Sequence, residues 1–402
     1  MKSMKKLSLV YFQSGGPTSV INSSLYGLIA AAKASPNVDK IYGSLYGVEG
    51  LINDNLIDLR AQDEEELKLL LQTPGAALGS ARFHIGKDKE EVFGKIKKTM
   101  LKHGLNCIFV NGGNDSMDTC HQLSEYFKGS DIQVLGVPKT VDNDLAGTDH
   151  CLGFPSAARA VVNDVASIAK DIEVYAKGRI TLIEVMGRDA GWLPAASACV
   201  QEDLAPDLIY VPEMKFDLDR FLKDVKKIYD EKQRALVVIT EALPVSKDET
   251  IKADSFGHAF YEGTAQVLAS IVKEKLGINT RGIGLSLSVR ADPYNITRVD
   301  REEAIAMSRF LLEAALRGET GKVGCIKRIT DIPYASGFVL EDASKIANAV
   351  RHIPEEWIKG PGILDREAVR HYTAPLLEGN IEVQAEHGRI KFACLDKTKV
   401  EE

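Results

Sequence analysis

The stretch NGGNDSMDT, Asn111 to Thr119, follows the apolar run LNCIFV and leads into a helical pattern. An apolar run of that length ending in glycines reads as a buried strand. Gly112 and Gly113 then stand between its carboxyl end and a helix N-terminus, where bare backbone N–H groups can approach a phosphate closely. The same loop carries Asp115, whose carboxylate should repel such a ligand. A phosphate cradle with a built-in negative charge must therefore be selective about which phosphate it accepts.

Working outward, LSLVYF (Leu7 to Phe12) precedes a helix expected over Thr18 to Lys33, and the helical KEEVFGKIKKTMLKHG precedes LNCIFV. IQVLGV, RITLIEVM, DLIYVP, ALVVIT and GIGLSLSV continue the alternation at helix-length intervals. Continuous apolar strands alternating with helices predict an α/β protein with mostly parallel sheets flanked by helices, whose ligands bind beyond the carboxyl ends of the strands. The polar loops fall at those ends: SGGPTS at 14–19, NGGNDS at 111–116, PKTVDNDL at 138–145, MGRDAGW at 186–192, TEAL at 240–243 and VRADPY at 289–294. Six such loops point to one cleft between two lobes. After about residue 330 the pattern weakens, and IEVQAEHGRIKFACL reads as a terminal hairpin.

A chain of 402 residues, 45% hydrophobic and 27% charged, has the composition of a soluble two-lobed protein. Its formal net charge of -7 argues against general affinity for nucleic acid or an anionic membrane. No segment approaches the ~18 apolar residues of a membrane span. The six cysteines lack any Cys-x-x-Cys pair, and the eight histidines show no metal or triad spacing, so a reducing, cytoplasmic setting is expected. No G-x-x-x-x-G-K-[ST] occurs, which excludes a P-loop, and the first strand is not followed by G-x-G-x-x-G.

Each motif has a bland reading as well. SGGPTS, with Gly15 and Gly16, also suits a tight turn before a capped helix. The carboxylates of PKTVDNDL, Asp142 and Asp144, suit turn chemistry, but Lys139 beside them could steady a phosphoryl group while a carboxylate takes a hydroxyl proton. Arg179 and Arg188 lie nine residues apart across one apolar strand, and Arg281 and Arg290 repeat that layout across another. Either arginine of a pair could be a surface ion pair; the planar guanidinium also suits a sugar phosphate.

Taken in order, SGGPT, LGSARF, GGNDS, PKTVDND, RITLIEVMGR, TEAL and RGIGLSLSVR, from Gly15 to Arg290, resemble the phosphofructokinase family. The resemblance implies a two-lobed phosphofructokinase-like fold with its active site in the cleft, transfer of phosphoryl to the 1-hydroxyl of fructose 6-phosphate, and Mg²⁺. It implies a donor lobe of 1–150 with about 290–340, and a sugar-phosphate lobe of 151–289 with about 341–402. By position, Gly15, Gly16, Arg82 and Gly113 would hold the phosphoryl donor. Thr140, Asp142 and Asp144 would form the catalytic loop, with Asp142 as base. Met186, Gly187, Arg188, Glu241, Arg290 and Tyr294 would contact the sugar phosphate. Arg179 and Arg281 resemble arginines that reach into a neighbouring subunit's site, which implies a homodimer or homotetramer.

Two departures address the carboxylate in the cradle. ATP-dependent members have GGDGS and PGT, with glycine where this chain has Asp115 and Lys139. At ~4 Å and an effective dielectric of about 20, like charges repel by roughly 4 kcal/mol, about a thousandfold against a nucleotide α-phosphate beside Asp115. Pyrophosphate has no α-phosphate, and Lys139 supplies charge to the group in flight, so the pair resembles the pyrophosphate-dependent branch. The position of the usual magnesium aspartate is Asn114 here, leaving the metal to Asn114 and Asp115, with Asp142 or water as further supports. Leu287 stands where ATP-dependent members commonly have a histidine. The expected reaction is reversible transfer from pyrophosphate to fructose 6-phosphate; the alternatives are an ATP-dependent kinase of the same fold and a non-catalytic phosphosugar-binding regulator.

Overall fold

The computed structural model describes residues 6–81, 89–245, 263–347 and 349–401. Eleven strands make its two main sheets: β1 Leu7–Gln13, β2 Val38–Ser44, β3 Leu56–Asp58, β4 Cys107–Gly112, β5 Gln133–Pro138, β6 Ile180–Val185, β7 Leu208–Tyr210, β8 Ala235–Thr240, β9 Thr280–Leu285, β10 Lys322–Asp331 and β11 Tyr334–Asp342. The first sheet runs β11-β10-β5-β4-β1-β2-β3 and the second β7-β8-β6-β9. The second is parallel throughout, and the first is parallel except for β3 and β11. Strands β1, β4, β6 and β8 are buried along their whole length, as continuous apolar runs covered by helices on both faces require.

Strand order places the site. From β1 the chain goes outward to β2 and later returns on the other side as β4, so the crevice between β1 and β4 is a switch point. Gln13 pairs with Asn111 there, and Ser14 N donates to Asn111 O at 2.8 Å. In the second sheet β6 is flanked by β8 and β9, so the loops after Val185, Thr240 and Leu285 open side by side. Among the described residues no helix is long and apolar enough to cross a membrane.

Three local expectations need correction. The first helix spans Ile21–Ala34 rather than beginning at Thr18, because Thr18 Oγ1 accepts from Val20 N and forms a side-chain turn before the helix. GIGLSLSV is not one strand: β9 ends at Leu285 and Leu287–Arg290 forms a 3₁₀ turn, which carries Arg290. The C-terminal region does not stay with the second lobe. Gly362 O does accept from Ile209 N beside β7, but the expected hairpin, Ala385–Glu386 against Arg389–Ile390, returns to the first lobe. There the Gln72 side chain donates to Gln384 O and Lys391 O at 2.9 and 2.7 Å, and Lys399 bridges Ile57.

Candidate active site

The loop after β1 is shaped by two glycines. Gly15 has φ +74°, and a Cβ there would lie 3.4 Å from Lys139 Nζ; at Gly16 it would lie 2.7 Å from Arg290 Nη1. Glycine therefore lets a lysine and an arginine press directly onto this backbone. Lys139, one residue past β5, is buried and donates to Gly16 O at 2.7 Å. Burial, then the charge of Arg290, lower its pKa to about 8, against the pull of Asp142, Asp144 and Asp115. The first lobe thus presents a cation already laid against the glycine loop.

The catalytic-loop residues lie next to it. Thr140 Oγ1 accepts from Asp142 N at 3.1 Å, a turn that fixes where the Asp142 carboxyl leaves the backbone. Burial pushes Asp142 above the usual carboxylate range, opposed by Arg188, Arg290 and Lys139. Burial and the Asp142 charge raise Asp144 to about 7. Asn114 opens the helix Asn114–Tyr126, and its Nδ2 donates to Asp144 Oδ2 at 3.0 Å. Gly113 is that helix's N-cap, and Asp115 lies exposed in its first turn.

The second lobe supplies the other wall. Arg188 Nε is 3.8 Å from Glu241 Oε1, and burial followed by the charge of Asp142 raises Glu241 to about 7. Gly187 has φ +144°, its carbonyl accepts from Thr240 Oγ1, and a Cβ would meet Ala190 O at 2.9 Å, so only glycine turns the chain there. Half-buried Met186 precedes it. Carboxylates with raised pKa values, one cation lowered to about 8 and two guanidiniums thus face one cleft, an arrangement suited to proton transfer beside a transferring anion.

The expected residues do not all converge. Arg82 lies outside the described residues. Arg179 directly precedes β6 and Arg281 is the second residue of β9, so they start about 20 and 13 Å along their strands from the cleft loops. Tyr294 is exposed on a 3₁₀ turn whose backbone is held by Asp292 and Arg159. Sequence reasoning passed over Asp189, whose charge raises both Asp142 and Asp144. Its only signal was a carboxylate inside the quoted loop MGRDAGW.

Among the described residues no three His, Cys, Asp or Glu side chains form a ready-made metal cage. The donor set nonetheless suits a hard cation that arrives with phosphate oxygens: Asn114 Oδ1 is buried without a hydrogen-bond partner, and carboxylates flank it.

The fold and this cleft define a phosphotransferase-like α/β site, and the family model for phosphofructokinase matches residues 8–310. The chain belongs to the phosphofructokinase family. It is 33% identical over 385 residues to the pyrophosphate–fructose 6-phosphate 1-phosphotransferase of Xanthomonas campestris, covering 92% of each chain. It is 32% identical over 326 residues to the sulfofructose kinase of Alkalicoccus urumqiensis, covering 80% of this chain and 84% of that one. The pyrophosphate-dependent phosphofructokinase of Nitrosospira multiformis superposes with a TM-score of 0.88 at 32% identity, over 99% of this chain and 98% of that one.

Proposed function

We propose that this protein transfers phosphoryl reversibly between pyrophosphate and the 1-hydroxyl of fructose 6-phosphate, giving fructose 1,6-bisphosphate and phosphate. The observation that carries the reading is Lys139, buried against the Gly15–Gly16 loop beside the Asp142 cluster, with Asp115 in the facing helix turn. A nucleotide would have to place its α-phosphate against that carboxylate; pyrophosphate ends before it. The names of the Xanthomonas and Nitrosospira relatives support the same donor.

In the forward direction the donor lies across Gly15, Gly16 and Gly113, and Arg188, Arg290, Glu241, Met186 and Gly187 hold the sugar phosphate. Asp142 takes the proton of the 1-hydroxyl as that oxygen bonds to the terminal phosphorus. The bridging P–O bond breaks and phosphate leaves with the electron pair. Lys139 and backbone N–H groups stabilise the charge on the group in flight. Asn114 Oδ1 and the carboxylates of Asp115 and Asp142 would hold Mg²⁺, which would supply positive charge against the donor. Arg179 and Arg281, at the amino ends of their strands, complete the sugar-phosphate site of a second copy, so the working unit is at least a dimer. Six free thiols suit a reducing cytoplasm.

Purified protein with Mg²⁺ and fructose 6-phosphate, offered pyrophosphate and ATP separately, tests the donor, and sulfofructose in place of fructose 6-phosphate tests the acceptor. Turnover with pyrophosphate and fructose 6-phosphate well above the other pairs is expected; a preference for ATP, or no turnover at all, defeats the reading.

A further inference from the structure

We infer that Arg351 is a positioning residue that holds the catalytic loop in register with the sugar-binding loop. It lies beyond every motif recognised in the sequence, yet its bonds converge on the backbone just after Asp142. Its guanidinium donates to Asn143 O from Nε at 3.3 Å and from Nη2 at 3.0 Å, and to Asp149 O from Nη1. Its own N–H donates to Asp144 O at 2.7 Å, and the preceding Val350 bridges Leu145. One residue therefore takes up the carbonyls of Asn143, Asp144 and Asp149.

That loop requires an outside brace because Asn143 is held in the left-handed region, at φ +58°. An asparagine tolerates this conformation at some cost, which the surroundings must offset. The Asn143 side chain is itself fully used: Oδ1 accepts from Cys151 N at 2.8 Å and Nδ2 donates to Tyr372 Oη at 3.0 Å. Tyr372 Oη also accepts from Arg351 Nη2 at 3.2 Å and donates to Asp149 O at 2.7 Å. The turn that aims Asp142 and Asp144 is thus closed by Arg351 and Tyr372.

The other end of the brace reaches the sugar side. Arg351 stacks over Trp192 at 4.2 Å, and Trp192 Nε1 donates to Arg351 O at 2.9 Å. Trp192 opens the helix Trp192–Ala196 directly after the Met186–Gly191 loop. Glu213 Oε1 adds a second tie, accepting from Gly191 N at 2.9 Å and Ile353 N at 3.1 Å. Base and acceptor loop are therefore both referenced to one segment, 351–353.

The charges acting most strongly on Asp142 are those of Arg188, Arg290, Lys139 and Asp189, so Arg351 works through geometry. The inference rests on the proposed phosphoryl transfer, and the test separates the two. Absence of wild-type turnover with pyrophosphate defeats the functional reading, and the variants are then compared with ATP as donor. For Arg351→Ala in the full-length protein, kcat should fall about 10²-fold, the cost of a displaced reacting group. KM for pyrophosphate and the acid limb of the pH profile should stay unchanged. Methylguanidinium below denaturing concentration should raise the variant's kcat and leave wild type untouched. Tyr372→Phe, which removes one shared hydroxyl, should fold and lose about tenfold in kcat; it decides the matter if Arg351→Ala does not fold. An Arg351→Ala protein with wild-type kcat overturns the inference, and so does a loss that methylguanidinium cannot relieve while Tyr372→Phe keeps full kcat.

Discussion

Two groups of carboxylates, each with a member in the stretch 142–150, are treated in opposite ways. In DNDLAGTDH, Asp149 and His150 belong to a saturated network: His150 Nδ1 meets Asp149 Oδ2 at 2.9 Å and Nε2 meets Glu303 Oε2 at 2.7 Å. Arg328 donates twice to Asp149, while Tyr334 and Ser336 donate to Glu303 at 2.7 and 2.6 Å. Burial works against the charges of Asp149 and Glu303, but His150 holds both below the usual carboxylate range. Asp142, Asp144 and Glu241 are half-buried, and among the described residues the charges and hydrogen bonds that oppose the cost, from Arg188, Arg290, Lys139, Asn114 and Gly187, do not outweigh it, so all three rise. Carboxylates whose partners outweigh the cost of burial brace a structure; those whose partners do not are ready to take a proton.

The largest effect should come from the unsatisfied group. Asp142→Ser should lower kcat by roughly 10²–10⁴-fold, the contribution of a positioned base, and change KM far less. Its stability should hold or rise: a carboxyl raised in the fold binds its proton more tightly there than in the unfolded chain, so its ionised form opposes folding at neutral pH. Near-normal turnover, or a clear drop in Tm, would dissolve the contrast.

Next comes the donor pair. If Asp115 excludes the α-phosphate, Asp115→Gly should give measurable but poor ATP use. Adding Lys139→Gly should raise ATP turnover and reduce that with pyrophosphate, moving the ratio of kcat/KM values by about 10³. The two effects need not add, since Asp115 acts on the charge of Lys139. Undetectable ATP use by Asp115→Gly with intact pyrophosphate use would show that the carboxylate is no filter.

The saturated network should respond in stability rather than in rate. His150→Gln leaves Glu303 and Asp149 without their shared cation, at a cost of about 3–5 kcal/mol, and Glu303→Gln in the same chain should recover part of that. Opposing charges from Glu303 and Asp149 outweigh burial and raise His150 to about 9 from an ordinary 6.5, roughly 3 kcal/mol. A raised histidine stabilises fully below its unfolded pKa, and that contribution fades as pH climbs through about 9. Urea titrations at several pH values should show wild type converging on the variant above that point; a gap that stays constant with pH would refute the charged imidazole.

Much of this cleft was legible because chemistry at strand ends leaves local marks. Gly15, Gly16, Lys139, Asp142, Arg188 and Glu241 each sit in a short polar loop after an apolar run, and strand order brings those loops together. Arg290 was legible as a site residue but not as a neighbour of Gly16, since the 3₁₀ turn after β9 redirects it. The brace at Arg351 left no mark: apart from Tyr372 its partners are about 160 to 210 residues away in sequence, and its environment, VRHIPEEW, lacks periodicity. Nor could spacing reveal Glu303 as the partner of His150, 153 residues away. Contacts closed only by tertiary folding have no local period to betray them.

The smallest effect, and the finest test of the contrast, is the shape of the pH profile. kcat/KM for pyrophosphate reports the unliganded protein, in which the reacting form needs an ionised carboxylate cluster and a charged Lys139. Asp144 and Glu241 near 7 and the raised Asp142 set the acid limb, since protonation there removes the base or the charges around it. Lys139 near 8, lowered by burial, sets the alkaline limb, so activity should fall about tenfold per pH unit beyond that value. The optimum is therefore narrow, squeezed between groups displaced toward each other. Lys139→Arg keeps the cation charged across this range and should lose the alkaline limb, whatever it costs in absolute rate. Assayed with the same donor, both proteins see the same donor ionisation, which cancels in the comparison. An alkaline limb that persists near 8 in Lys139→Arg would assign that proton to another group and remove Lys139 from the strained set.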